Sequence, residues 1–546
     1  MAPDVVSLPV NGAQQFTATV TGASNTSVSW AATCGNISDN GNPVTYTAPG
    51  TAGSCTVTVT SMADPSKRAT ASVTVTGSGF EPAPSYISFS NVSVGAASGG
   101  VRLVMFDISW DESWRGPDRP TWVAAPDNWD AAWVFVKYRV DGGAWQHATL
   151  AGGGHVVPAG AVVEVPDDRV GAFVYRSSSG YGTFAANGVG LAWDHLADGV
   201  SAGASVEVRP FGIDMVFVPE GAFSVGSGGS AYGEFRAGET TNTPFVVSSQ
   251  SPITLGDGSG QLMWTESGWS GPSSGSTSAS FPTGFGAFYV MKYQVTQGQY
   301  VDFLNTLTQA QAGARKFTTF GSRYAVTGSS VGAYATSLPF VAMNYMSWAD
   351  GAAFADWAGL RPMTELEYEK AARGPLEPVA NEYAWGSTSI TQATGLANEG
   401  TITETPTPAE ANAQFGHYRG SLPWPVRVGS FAAPGRSRRD AGAGYYGALE
   451  LTGNLWERPV SVGSAEGRAF SGTHGDGALD AGGNGNVVSW PGSTEVAGLR
   501  GGGWPHDVGD DDGYVPSLRV SVRWLAAAGD LGRASYYGWR GARSAP

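Results

Sequence analysis

Over the first part of the chain, apolar and polar residues alternate with a period of two. Gln15 to Val20, Ser27 to Trp30, Thr56 to Thr60 and Ala69 to Val75 follow this pattern, with turn residues at short spacing between them. The pattern predicts a small β-sandwich over 1–77. A Gly/Pro-rich linker follows at 78–84. A second, β-rich unit is expected over 85–210, where Val104 to Trp110 alternates and Ala132 to Arg139 reads as a strong strand. A third unit is expected over 211–546. It opens with strand-like residues from Met215 to Gly226, continues through a Gly/Ser/Thr-rich stretch at 227–280, and then changes period. After Phe288 to Val295, Thr296 is placed to cap a helix with apolar residues at 300, 303, 304 and 307. Two more helices fit 347–358 and 364–374; in the second, Thr364 and Glu367 form a capping box and Gly374 supplies a stop.

The 546 residues allow several domains, and 78 glycines, 11 % aromatic and 14 % charged residues favour turn-rich β structure over long helices. The net charge of −15 argues against nucleic acid as a partner, because Arg436, Arg438 and Arg439 are the only tight basic group. Without 18 consecutive apolar residues, no membrane insertion is expected. The opening Met-Ala-Pro-Asp-Val-Val lacks signal-peptide character, which fits a mature boundary or export by another route, such as inside a virion. Trp110, Trp114, Trp122, Trp129, Trp133 and Trp145 crowd the second unit; core packing is the expected use of such a cluster, with a sugar-stacking platform the alternative. Residues 1–77 resemble the immunoglobulin-like domains of bacterial surface and phage proteins. Cys34 and Cys55 both fall at loop–strand junctions there. A bridge between them suits a domain of that extracellular type, and two separate buried thiols are the alternative.

A set of short words runs in order through the third unit: Val295-Thr296, Pro339-Phe-Val341 with Ser347-Trp348, Arg361 to Glu369, Tyr383-Ala-Trp385-Gly386, Ala397-Asn398, Val428-Gly429-Ser430, Gly453 to Glu457, and Leu499 to Trp504. This set resembles the formylglycine-generating-enzyme/sulfatase-modifying family. The resemblance implies a C-type-lectin-like fold, so the whole reads as mainly β with an α+β C-terminal domain: an immunoglobulin-like sandwich, a β-rich middle domain and a C-type-lectin-like domain. It also implies a structural Ca²⁺ at Asn398 and Glu399, and at Gly453, Asn454, Leu455 and Glu457. The alternative is that Glu457 holds a loop amide or Arg458, which stands where the family often has an aromatic residue. The family's oxidases work with a cysteine pair in the C-terminal region, and another branch uses an iron site with His-rich motifs. No cysteine lies between 56 and 546, and the six histidines have no metal-site spacing. No catalytic residue and no cofactor beyond Ca²⁺ is therefore expected.

The same fold carries the variable proteins of diversity-generating retroelements, which the C-terminus resembles. Framework words would be Arg500 to Trp504, Leu518 to Ser521, Arg533 and Gly538 to Gly541, with a variable region over 505–537. Between the words, the residue types are mostly those that mutated Asn codons reach. The expected ligand-binding residues are His506, Asp507, Asp510, Asp511, Tyr514, Ser517, Trp524, Ala534, Ser535, Tyr536 and Tyr537, a composition suited to a paratope. The resemblance implies display on a cell surface or phage tail and capture of a protein or glycan ligand. An enzyme with altered chemistry and a structural surface module are the alternatives. Tyr514, Tyr536 and Tyr537 are expected to be exposed on one face, over a buried Arg500, Trp504 and Trp539.

Overall fold

Strand Asp130–Val140 organises the larger part of the molecule, because both of its faces are buried in this computed structural model. Ala132, Val134, Val136 and Tyr138 point into one apolar core; Ala131, Trp133 and Phe135 point into another. A strand buried on both sides must be apolar throughout, which explains the near-continuous run seen in the sequence. The structure describes all residues except 10–12, 39–40, 50–52, 77–82, 84, 240–241, 267, 319–320, 418–419, 493–497, 507–515 and 530–531.

This strand sits within an antiparallel sheet of order Ala161–Glu164, Ala172–Arg176, Asp130–Val140, Val206–Val218, Phe288–Met291, Gly541–Ser544, Arg361–Pro362, with Gln146–His147 pairing alongside. A three-stranded sheet of Ser88–Val94, Arg102–Arg115 and Gly180–Trp193 covers one core. The sheet corrects the expected division at 210/211. Strand Val206–Val218 runs through that point and pairs with Asp130–Val140 on one side and Phe288–Met291 on the other. The second and third units therefore share one sheet, and the last strand of the chain closes it. The crowded tryptophans are mostly core: Trp110, Trp114, Trp122 and Trp133 are buried.

Five helices occur among the described residues: α1 (Gln297–Asn305), α2 (Gln309–Arg315), α3 (Trp348–Trp357), α4 (Glu365–Arg373) and α5 (Ala465–Ala469). Thr296, Thr308, Ser347 and Thr364 each close a capping box with the residue three positions on, which satisfies backbone donors that a helix start leaves free. None is long and apolar enough to cross a membrane. Residues of α1 and α3 pack under the sheet with Trp133 and Phe135.

The first unit forms two sheets around its own core of Phe16, Trp30, Tyr46, Val57 and Val73. One contains Val5–Pro9, Arg68–Thr76, Gly53–Ser61 and Val28–Ala32; the other contains Ala13–Phe16, Val44–Thr47 and Asn36–Ile37. Cys34 and Cys55 form a disulfide with Cα atoms 5.4 Å apart. Of the expected linker 78–84, only Ala83 lies among the described residues.

Candidate functional site

Helix α4 carries the charges on which the C-terminal segment is built. The capping box at Thr364 starts the helix so that Glu365 and Glu369 fall one turn apart and point into the interior. Arg500 reaches both, at 2.8 Å to Glu365 and 2.5 Å to Glu369, and gives a third bond to the Val520 carbonyl at 2.7 Å. Arg523 grips Glu365 with two bonds of 2.7 and 2.8 Å. Its guanidinium lies 3.9 Å from the Phe235 ring and 4.2 Å from that of Trp264. Arg373 bonds Glu369, Glu382 and Ser521. Burial pushes the Glu365 carboxyl up, but Arg523 and Arg500 outweigh it and hold the group below the usual carboxylate range. Buried charges persist only when paired and hydrogen-bonded in this way.

A second pair supports the end of the chain. Arg540 bonds Glu457 at 2.9 Å and the carbonyls of Met291 and Lys292 at 2.6 and 2.9 Å. Beside it, the buried Trp539 ring packs edge-on to Trp348 of α3, 5.1 Å between centroids. The helix approaches so closely that a Cβ at Gly351 would overlap the Trp539 ring. Glycine there is a packing requirement. Arg500, Trp504 and Trp539 are thus all buried.

On this frame, residues 454–458, 503–506 and 534–538 lie side by side. Trp504 N–H donates to the Asn454 carbonyl at 2.8 Å, Trp456 N–H to that of Tyr536 at 2.9 Å, and Gly538 N–H to that of Trp456 at 3.1 Å. Their rings meet edge to face: Trp456 with His506 at 5.0 Å, His506 with Tyr536 at 5.4 Å, Tyr536 with Tyr537 at 4.9 Å, and His417 with Trp504 at 5.5 Å. The Trp456 indole N–H donates to His506 Nδ1 at 3.2 Å. Burial lowers the His506 pKa to about 4, so the ring accepts as a neutral imidazole.

The expected binding residues separate into three groups. His506, Trp524, Ala534, Ser535 and Tyr536 are partly exposed. Ser517 and Tyr537 are buried, at 2 % and 8 % exposure, which corrects the expectation for both. Ser517 adjoins Leu518, which plugs the interior together with Val520. Tyr537 is covered by the Arg458 guanidinium, 4.2 Å from the ring centroid. Asp507, Asp510, Asp511 and Tyr514 lie outside the described residues. Trp524 meets the turn at 268–269: its carbonyl accepts from Trp269 N–H at 2.6 Å, and its ring packs against Gly268. Trp269 itself is exposed.

The expected calcium ligands have other partners. Glu457 is held by Arg540, not Arg458, and by Gln294 Nε2 at 3.2 Å. The Asn454 amide bonds Val426 N–H and Gln294, and the Leu455 carbonyl accepts from Gln294 at 2.7 Å. Glu457 Oε2 is buried without a partner, as is Glu450 Oε2, with the Arg540 guanidinium beside Glu457. Asn398 is exposed, with its carbonyl accepting from Thr401, and the largely exposed Glu399 lies 3.7 Å from Arg323. Among the described residues, no group of three or more His, Cys, Asp or Glu side chains is placed to hold a metal. The network Arg523–Glu365–Arg500 escaped sequence reasoning. Its one local signal was Glu365 and Glu369 at a spacing of four behind a capping residue.

A family model described as the sulfatase-modifying factor enzyme 1-like domain matches residues 204–545. Its start agrees with the strand that begins at Val206. Among curated proteins, the chain is 33 % identical over 132 residues to the formylglycine-generating enzyme of Thermomonospora curvata, covering 24 % of this chain and 35 % of that protein. It is 33 % identical over 122 residues to the formylglycine-generating enzyme of Streptomyces coelicolor, covering 22 % and 32 %. With the hercynine oxygenase of Mycolicibacterium smegmatis, identity is 30 % over 116 residues, covering 21 % and 20 %. The chain thus spans about a third or less of the curated relatives it matches.

Proposed function

The chain belongs to the sulfatase-modifying factor enzyme 1-like family, and from that premise we propose that it is a non-catalytic binding member, which captures a protein or glycan ligand through the partly exposed residues of 505–537. One observation carries this reading. The face is anchored by main-chain atoms at the positions that form it. The carbonyls of His506, Ala534, Ser535 and Tyr536 accept from Gly416 N–H, Tyr345 N–H, the Trp504 indole and Trp456 N–H. Bonds of that kind do not depend on which side chain the position carries, so the face tolerates exchange of its side chains while the buried Arg and Glu residues keep its shape. Partly exposed aromatic and small polar side chains suit recognition.

We read the first unit as an immunoglobulin-like stalk and the whole as a surface or virion-tail protein whose C-terminal face is diversified. The absence of cysteine from 56–546 weighs against the cysteine-pair chemistry that the family resemblance implies. Sequencing this locus in sibling isolates tests the proposal. Substitutions gathered at 506, 507, 510, 511, 514, 524 and 534–536, beside an unchanged Arg500, Glu365 and Trp539, are expected. An even spread of changes, or copper-dependent oxidation of a thiol peptide by the purified chain, counts against it.

A further inference from the structure

Ala83, residues 85–92, strand Val206–Val218 and helices α1 and α3 contribute to the lining of a cavity of about 570 Å³, well within the ~300–1,000 Å³ range of small-molecule sites. None of its lining residues belongs to the C-terminal face. Phe89, Phe135, Phe211, Phe354 and Trp357 supply aromatic walls. Asp302 of α1 lines it as well and is only 5 % exposed. One of its carboxylate oxygens accepts from the Ala83 backbone N–H at 2.8 Å. The other has no hydrogen-bond partner among the described residues.

We propose that this cavity binds a small organic ammonium ion, whose charged head meets the open Asp302 oxygen and whose apolar body packs among the aromatic rings. Both features select the same chemistry. A buried carboxylate oxygen bonds most strongly to a charged donor, and the faces of aromatic rings attract cations. A carboxylate ligand could bond Asp302 only while that group keeps its proton, and would set two buried negative charges side by side once it is lost. Arg209, the one cationic side chain lining the cavity among the described residues, bonds Glu207 at 3.3 Å, and Glu207 also bonds Arg139 at 2.7 Å. Lys137 approaches the Phe135 and Trp357 rings at 5.7 and 5.3 Å but gives its hydrogen bonds to His147 and to the Trp357 and Gly477 carbonyls. The inference does not depend on the binding role of the C-terminal face.

The proposal has a pH signature. Burial raises the Asp302 pKa to about 8, against the pull of the Ala83 N–H and of Arg209. In the empty cavity at neutral pH the group is therefore mostly protonated, and an ammonium ligand must displace that proton. Affinity then rises with pH through the folded pKa, and binding releases a proton.

The test is calorimetric titration of the full chain with phenethylamine at pH 6.5, 7.5 and 8.5. 3-Phenylpropanol and 3-phenylpropionate serve as neutral and anionic matches. Phenethylamine is expected to bind, with affinity rising roughly tenfold or more across that range and the two matches binding more weakly. Titration in buffers of different ionisation enthalpy should register proton release from the unmodified protein, a readout that needs no variant. Asp302→Asn keeps an acceptor for Ala83 and should melt no lower than the parent, while losing the amine preference and its pH dependence. Failure of phenethylamine to bind, equal affinity for the alcohol, absence of proton release, or undiminished binding by a folded Asp302→Asn would each overturn the proposal.

Discussion

Arg500 and His506 are close in the chain, yet they belong to two regions held together in different ways. In the frame, charged side chains make the bonds: Glu365 receives four hydrogen bonds from Arg500, Arg523, Ser461 and the Val462 N–H, counting only the closest contact of each. On the face formed by His506 and 534–536, the carbonyls make the bonds and the side chains touch mainly through ring edges. The difference separates residues that the fold needs from residues that it only positions. Side chains of the face can therefore change without rebuilding the interior.

Breaking the frame is expected to have the largest effect. Glu365→Gln leaves Arg500 and Arg523 without the charge that both face, and losing one partner of a buried ion pair costs about 3–5 kcal/mol. Denaturant unfolding of this variant should show the C-terminal domain melting well before the first unit. A parent-like transition would show that the network is dispensable. Gly351→Ala comes next, because it drives a methyl group into the Trp539 ring. Overpacking of this kind costs about 1–3 kcal/mol, read as a lower unfolding midpoint. Parent-like stability would mean that the helix and ring separate easily.

A smaller effect concerns His506, which belongs to the face but has a ring held neutral. Its folded pKa, about 4, lies below the ~6.5 of a free histidine. The unfolded chain therefore takes up the proton first as pH falls. The stability contributed by the neutral ring is complete above about pH 6.5 and is lost towards pH 4. His506→Gln should narrow the gap between midpoints measured at pH 7 and pH 4.5 relative to the parent. An unchanged gap would place the acid sensitivity elsewhere, with His474, also held at about 4, the next group to examine. The smallest effect is expected at Ser535→Ala, within about 0.5 kcal/mol, because the bond to Trp504 uses its carbonyl. A larger loss would mean that the Ser535 hydroxyl helps carry the fold.

Local signals in the sequence were the ones that translated into structure. Thr296, Ser347 and Thr364 mark helix starts through side chains that bond three residues on, so each is readable within a few positions. Helix α2, Gln-Ala-Gln-Ala-Gly-Ala-Arg, has no apolar stripe to reveal it and depends on its Thr308 capping box and on packing of Ala312. The boundary expected at 210/211 failed because sheet pairing joins residues far apart: Phe288 lies beside both Val218 and Ser544. The frame was hidden for the same reason, since Arg523 and Glu365 are 158 positions apart. Burial within the C-terminal segment was not legible residue by residue. Burial of Tyr537 depends on Arg458, and nothing within the segment itself announces that contact.

The most direct test randomises positions 506, 524, 534, 535 and 536 together and measures thermal unfolding for a set of unselected variants. Alongside them, the same is done for positions 365, 369, 500, 523 and 540. If the face is only positioned by the fold, most variants of the first set will unfold within a few degrees of the parent, and nearly all of the second set will fail to fold. If the two sets lose stability alike, the side chains of the face are part of the core, and the separation of frame from binding face is wrong.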